Sequence, residues 1–299
     1  MADYCNSPDT LTLTVGSTTV DLMSDQQGLR VSALDLGYPA VREVVVDNSD
    51  RSGATDLTKL FGPRPVTITG ALVPSPVGSR QRAWHNLAPF LNPSARVTMT
   101  YRVDGDTVVK TMTLRVAQAT ALFDNPTTSP AQLGFKAADP LAYDARVQTA
   151  VSFGGASNVG GRAYNLVYNR VYPAGGGATY AYSYTNGDFP VYPLLRLYGP
   201  ATNIVVNWAP ASATGGPITF VPSYSVAAGH YLAIDCKART IQVDGDPSQN
   251  AYGQVQSMLT WPYIPANPPP NNFAVWSFTA TGTSNQSQLV IQWQDSYLL

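Results

Sequence analysis

At 299 residues the chain has room for two domains of ordinary size, each able to bury a core without disulfides or metal. Charged residues make up only 12% of it, about half the roughly 25% usual in soluble proteins, while hydrophobic residues reach 44%. A net charge of -1 without a Lys/Arg run excludes an electrostatic footprint for nucleic acid, and so little charge points to flanks covered by other subunits.

A neutral, Ser/Thr/Asn-rich extracellular β-protein is the competing explanation of this composition. The opening "MADYCNSPDTLTL" lacks the basic and apolar regions of a signal peptide, and no apolar run approaches the about eighteen residues that span a bilayer. The expectation is a soluble chain made inside a cell, with no membrane partner. Cys5 and Cys236 are the only cysteines, too few for a disulfide framework and not spaced for zinc. Both are expected as free thiols, Cys236 buried in a strand.

In chain order, "AVREVVVD" and "PRPVTITGALV" alternate with period two, as half-buried strands do. The segment "GSRQRAWHNLAPFLNP" is the one convincing helix, with Trp84, Leu87 and Leu91 at helical spacing, Pro93 at its end and Pro89 keeping it short. A β-hairpin follows in "ARVTMTYRVDGDTVVKTMTLRV": Val97, Met99, Tyr101 and Val103 alternate, Asp104 to Asp106 turn, and Val108, Met112, Leu114 and Val116 resume. The stretch "PAQLGFKAADPLAYD" reads as a last strand ending at Asp139-Pro140.

Residues 151–190 are rich in Gly, Tyr and Asn and alternate weakly, which places a domain boundary at their start. Their tyrosines suggest an ordered arm on a surface rather than a free linker. From Val191 short strands recur: "YPLLRLYG", "NIVVNWA", "PITFVP", "HYLAIDC", "RTIQVDG", "NNFAVWSFTA" and "SQLVIQWQDSY". Gly, Pro and Asn turns separate them without a helix, the pattern of an all-β sandwich or jelly roll.

Chemistry is harder to find. Asp235, Asp244 and Asp246 crowd one stretch, "HYLAIDCKARTIQVDGDPSQN", but a calcium loop needs further oxygen ligands at fixed offsets and a closing Glu. They read as turn formers, and no metal is expected. Glu43 is the only glutamate and lies among valines, so no carboxylate pair for glycoside hydrolysis is evident. His85 and His230 lack a Gly-x-Ser-x-Gly nucleophile elbow, and "GGASNVGG" lacks the Lys-Ser/Thr ending of a phosphate loop. No catalytic residue and no cofactor are expected. Among the aromatics, Trp276 and Trp293 sit in alternating strands and read as core. Trp208, Trp261 and Tyr263 lie near predicted loops and are the candidates for contact with a glycan or a partner.

The order of "FGPRPVTITGALV", "AWHNLAPFLNP", "YRVDGDTVV" and "GFKAADPLAYD" resembles the N-terminal domain of the distal tail proteins, minor tail proteins of long flexible-tailed (siphovirus-type) bacteriophages. Further on, "TNGDFPVYPLLRLYGP", "AAGHYLAIDCKARTIQVDGD" and "SQLVIQWQDSYL" resemble the C-terminal sandwich of the same proteins. The resemblance implies a mainly β chain in three parts. Residues 1–150 would form a ring-building, tail-tube-like β-barrel or sandwich with one short helix, 151–190 a connector or arm, and 191–299 a galectin-like or carbohydrate-module-like jelly-roll sandwich.

It also implies a structural virion protein, not an enzyme: a hexameric ring at the distal end of the tail tube, assembled in the host cytoplasm. The ring would link the tube to the tail tip, beside tail tube, tape measure and tail-associated hub proteins, and offer docking sites for fibres or receptor-binding proteins. The alternative is a carbohydrate-binding module that anchors the virion to a cell-surface glycan. Plentiful Ala, Gly and Pro, with Arg exceeding Lys, suggest an actinobacterial host.

Overall fold

The computed structural model describes residues 8–24, 28–47, 54–73, 79–103, 105–123, 129–153, 180–211, 215–266, 272–284 and 286–298, with the backbone alone described for 42–47 and 54–60. Cys5, Asp104, the Glu43 side chain, the "GGASNVGG" loop and the middle of the expected arm lie outside what is described. The protein is mainly β and divides into two units, 1–145 with 297–299, and 146–296. The second unit is therefore an insertion, from which the chain returns to the first.

In the first unit, β1 (Pro8–Val15), β2 (Thr18–Asp21) and β3 (Leu29–Asp35) precede a separate two-stranded ribbon, β4 (Val41–Asp47) with β5 (Ala54–Phe61). After these come β6 (Arg64–Leu72), a helix, β7 (Val97–Val103), β8 (Lys110–Ala121), β9 (Ser129–Ala137) and β10 (Ala142–Asp144). The sheet runs β2-β1-β7-β8-β9-β6-β3, with β10 beside β8. Strand β8 serves two halves of this sheet. Its residues from Lys110 to Leu114 pair with β7, and those from Arg115 to Ala121 pair with β9 across a register shift at Val116/Gln118. One core joins Leu11, Leu13, Met99, Met112 and Leu114 from the first half to Leu34, Val66, Ile68, Leu133 and Phe135 from the second. The sheet thus folds over itself at β8, and each such fully buried side chain stabilises the unit by roughly 1.5–3 kcal/mol.

The hairpin expected from sequence is present, with Met99 opposite Met112, although its second strand begins at Lys110 and leaves Val108 in the turn. There Asp106 accepts the Val108 N–H at 3.0 Å and pairs with Lys110 at 2.8 Å. Helix α1 (Arg80–Leu87) starts at Ser79, whose hydroxyl accepts the Arg82 N–H, and passes at Pro89 into a 3-10 turn (Ala88–Leu91). The faces of helix and turn fully buried are Ala83, Leu87 and Phe90; the expected Trp84 and Leu91 are only partly covered.

The second unit is a sandwich. Its strands are β11 (Gln148–Phe153), β12 (Ala181–Tyr184), β13 (Leu194–Tyr198), β14 (Ala201–Pro210), β15 (Pro217–Phe220), β16 (Ser225–Val226), β17 (Tyr231–Asp235), β18 (Thr240–Val243), β19 (Val255–Met258), β20 (Phe273–Thr281) and β21 (Gln288–Trp293). One sheet runs β11-β21-β13-β17-β18 and the other β12-β20-β14-β15-β19, with β16 beside β14. Leu195, Leu197, Ile234 and Ile291 from the first meet Ile204, Val206, Trp276 and Phe278 from the second in one core.

The unit boundary falls at Ala145/Arg146, where the sequence suggested 150/151, because β11 pairs along its whole length with β21. Both described ends of the 151–190 segment, β11 and β12, are strands of the sandwich.

Candidate functional site

The aromatics singled out from sequence part company in the structure. Trp208 was expected near a loop and exposed; it lies within β14, only 4% exposed, opposite Trp276. The reason is that Ile204, Val206 and Trp208 form one alternating buried face along β14, which runs on to Pro210 beyond the expected loop. The Trp208 ring stacks on Trp276 at 6.2 Å and receives Tyr263 edge-on at 5.3 Å. Tyr263, half-buried, also leans on Tyr192 at 6.3 Å. Trp261 is half-buried and stacks on Tyr252, which is 48% exposed. Trp208 and Tyr263 therefore come together as packing, while Trp261 stands apart with Tyr252.

Trp276 and Trp293 are core, each with its indole N–H satisfied, the first by Ser183 Oγ at 2.7 Å and the second by the Tyr184 carbonyl at 2.9 Å.

The three aspartates act as turn formers. Asp235 Oδ1 accepts the Lys237 and Ala238 N–H groups at 2.9 and 2.8 Å, closing the β17–β18 turn, and Cys236 is buried in that turn rather than in a strand. Asp246 Oδ1 accepts the Ser248 N–H and hydroxyl, which hold its carboxyl below the usual range. Asp244, in the left-handed region at φ 54°, accepts from His230 Nδ1 at 2.6 Å and from the Tyr231 N–H at 2.9 Å. These two bonds, His230 first, lower its pKa. Among the described residues, no three His, Cys, Asp or Glu side chains are placed to hold a metal.

Among the described residues of the first unit, β2 and β3 end the sheet and present backbone donors and acceptors on one side, and the β4–β5 ribbon pairs with no third strand. Exposed Leu122, Phe123, Tyr38 and Val41 lie at the ends of β8, before β4 and at its start. Arg64 has no exposure and is spent internally: Nε donates to the Leu36 and Gly37 carbonyls at 2.7 and 2.9 Å, and Nη1 to Pro140 at 3.1 Å.

No protein-family model matches the chain, and no curated protein matches it in sequence. Solved structures do. The crystal structure of the Dit protein (gp 19.1) of SPP1 superposes over 96% of this chain and 99% of its own, with a TM-score of 0.62 at 13% identity. The chain has the distal-tail-protein fold. Two structures of the phage p2 baseplate in its activated conformation, with strontium and with calcium, align over 95% and 96% of this chain and 97% of theirs. Their TM-scores are both 0.49, at 11% and 10% identity. The likeness to the SPP1 protein spans both units.

Proposed function

We propose that this chain is a structural protein of a phage virion, built into a ring at the distal end of the tail tube. Six copies surround the channel and continue it toward the tip, and the second units carry docking points for fibres or receptor-binding proteins. The reading is supported above all by the end-to-end likeness to the SPP1 protein, which is described as a paradigm of the hub adsorption apparatus in phages infecting Gram-positive bacteria.

Physical chemistry agrees with it. A chain with 12% charged residues and open edges at β2 and β3 is served by ring closure, which pairs or covers those edges and buries uncharged flanks. On this reading its neighbours are tube, tape measure and hub proteins, its place is the virion after assembly in the host cytoplasm, and it scaffolds rather than catalyses. The actinobacterial host rests on composition alone.

Electron microscopy and light scattering of the purified full chain test the proposal. Annular particles of six subunits with an open centre are expected, and a persistent monomer at high concentration overturns it.

A further inference from the structure

The chain leaves β12 through Thr185, Asn186 and Gly187, a short bend fastened at both ends. Thr185 is buried; its N–H donates to the Asn272 carbonyl at 3.1 Å, and its carbonyl accepts from Asn272 Nδ2 at 2.8 Å. Beyond the bend, the Asp188 and Phe189 N–H groups donate to the Ser296 carbonyl at 2.8 and 3.4 Å, and Ser296 Oγ donates to the Phe189 carbonyl at 3.0 Å. Gly187 lies so close to the Ser296 backbone that a Cβ there would overlap it. Between these anchors Asn186 is exposed, and its side-chain amide makes no hydrogen bond to a described residue.

An exposed asparagine before a glycine has a chemistry of its own. Asparagine is thermolabile because the main-chain nitrogen that follows it can attack its side-chain Cγ, and a glycine, having no Cβ, leaves that approach open. Asn186-Gly187 is the only Asn-Gly pair in the sequence. Elsewhere among the described residues the asparagines are tied down. Asn92 Oδ1 accepts the Ser94 N–H, Asn250 Oδ1 accepts the Tyr252 N–H and Asn203 Nδ2 donates to Thr281 Oγ1, and each of the three precedes a residue that has a Cβ. Asn86 and Asn207 lie within α1 and β14, and Asn272 is bonded to Thr185.

We propose that Asn186 is a self-modification site of the second unit, converting to aspartate and isoaspartate through a succinimide, whether or not the chain builds a ring. The Gly187 nitrogen gives up its proton to solvent and bonds to Asn186 Cγ; the Cγ–Nδ2 bond breaks, and ammonia leaves. Water then opens the ring. Breaking the new Cγ–N bond gives aspartate, and breaking the original peptide C–N bond gives isoaspartate, which carries one more carbon in the main chain. Either product adds a negative charge. The bond from the Gly187 N–H to Thr185 Oγ1 at 3.1 Å retards the attack, by up to about tenfold for a neutral hydrogen bond. With Thr185 held by Asn272 and Gly187 already against Ser296, the added length is taken up by the bonds that Asp188 and Phe189 make to Ser296. Conversion therefore loosens the clamp on the strand-end residue Ser296.

Incubation of the full chain at mildly alkaline pH, followed by peptide mapping in a mass spectrometer and an isoaspartyl methyltransferase assay, tests the proposal. The peptide holding Asn186 should gain the mass of amide-to-acid conversion before any other described asparagine does, and should become a methyl acceptor. In urea the same peptide should convert faster, by up to about tenfold. The converted fraction, separated by ion exchange through its added charge, should melt below the parent. Asn186→Gln, an exposed substitution whose longer side chain closes the ring far more slowly, should show neither change over the same period. Three results overturn the proposal: an Asn186 that stays intact while the urea-unfolded chain converts, earlier conversion at another described asparagine, or a converted fraction that melts with the parent.

Discussion

Trp208 lies stacked on Trp276 across the paired strands β14 and β20, ring centroids 6.2 Å apart and planes 27° from parallel. Removing it leaves a void between the two sheets and strips Tyr263 of its edge contact. Trp208→Ala should therefore cost about 3–5 kcal/mol. The half-buried Trp261→Ala should cost clearly less. Thermal unfolding of the two variants followed by tryptophan fluorescence separates them, and equal losses would contradict the packing described.

Arg64 ties three chain segments together by donating to the Leu36, Gly37 and Pro140 carbonyls while burial lowers its pKa. Arg64→Met would take the donor from those part-buried acceptors, at about 1 kcal/mol for each bond lost. The first unit should lose most of its stability in urea. Arg64→Lys should not restore it, because an ammonium lacks the planar fork that reaches separate carbonyls.

Asp106 is pulled two ways. Partial burial works to raise its pKa, yet the bonds from Lys110 Nζ and the Val108 N–H outweigh this and hold it below the usual value. A carboxyl depressed in the folded state adds stability above the unfolded pKa of about 3.9 and loses it as pH falls through the folded value. Asp106→Asn should thus be less stable than the parent at pH 7, by about 1 kcal/mol for a pair whose lysine is buried and whose carboxyl is partly exposed. The difference should shrink below about pH 4. Denaturant midpoints at both pH values check it.

Tyr101 is fully buried, and its hydroxyl finds no hydrogen-bond partner among the described residues. Burial pushes its pKa up to about 12, with Arg64 acting in the opposite direction. Tyr101→Phe should leave stability at pH 7 unchanged or slightly higher, since no bond is lost. Between about pH 10, the unfolded value, and about pH 12, the raised phenol loses stability that the variant keeps. Melts across that range and an alkaline absorbance titration measure both effects.

Much of the architecture was legible in local pattern. The β7–β8 hairpin showed itself through Met99 and Met112, each alternating with threonines, and α1 through the helical spacing of Trp84 and Leu87. Strand β1 carried the same signal in Leu11 and Leu13, but only β4 and β6 were read out of the region before the helix. Trp208, near the end of the expected strand "NIVVNWA", went astray because the strand runs on to Pro210 and its pairing opposite Trp276 places the ring in the core. The grouping of Tyr198, His230 and Gln288 was not legible, since they belong to three separate strands or their ends and none is unusual in sequence.

By itself the sequence determined that the chain is strand-built, sparsely charged and turned by aspartates at 235, 244 and 246, because alternation and turn chemistry act over a few residues. Only the tertiary structure decided which strands lie side by side, that β8 serves two halves of one sheet, and which tryptophan is inside. Alternation says that one face of a strand is buried; the partner that buries it comes from distant segments, whose register is set by packing of the whole unit.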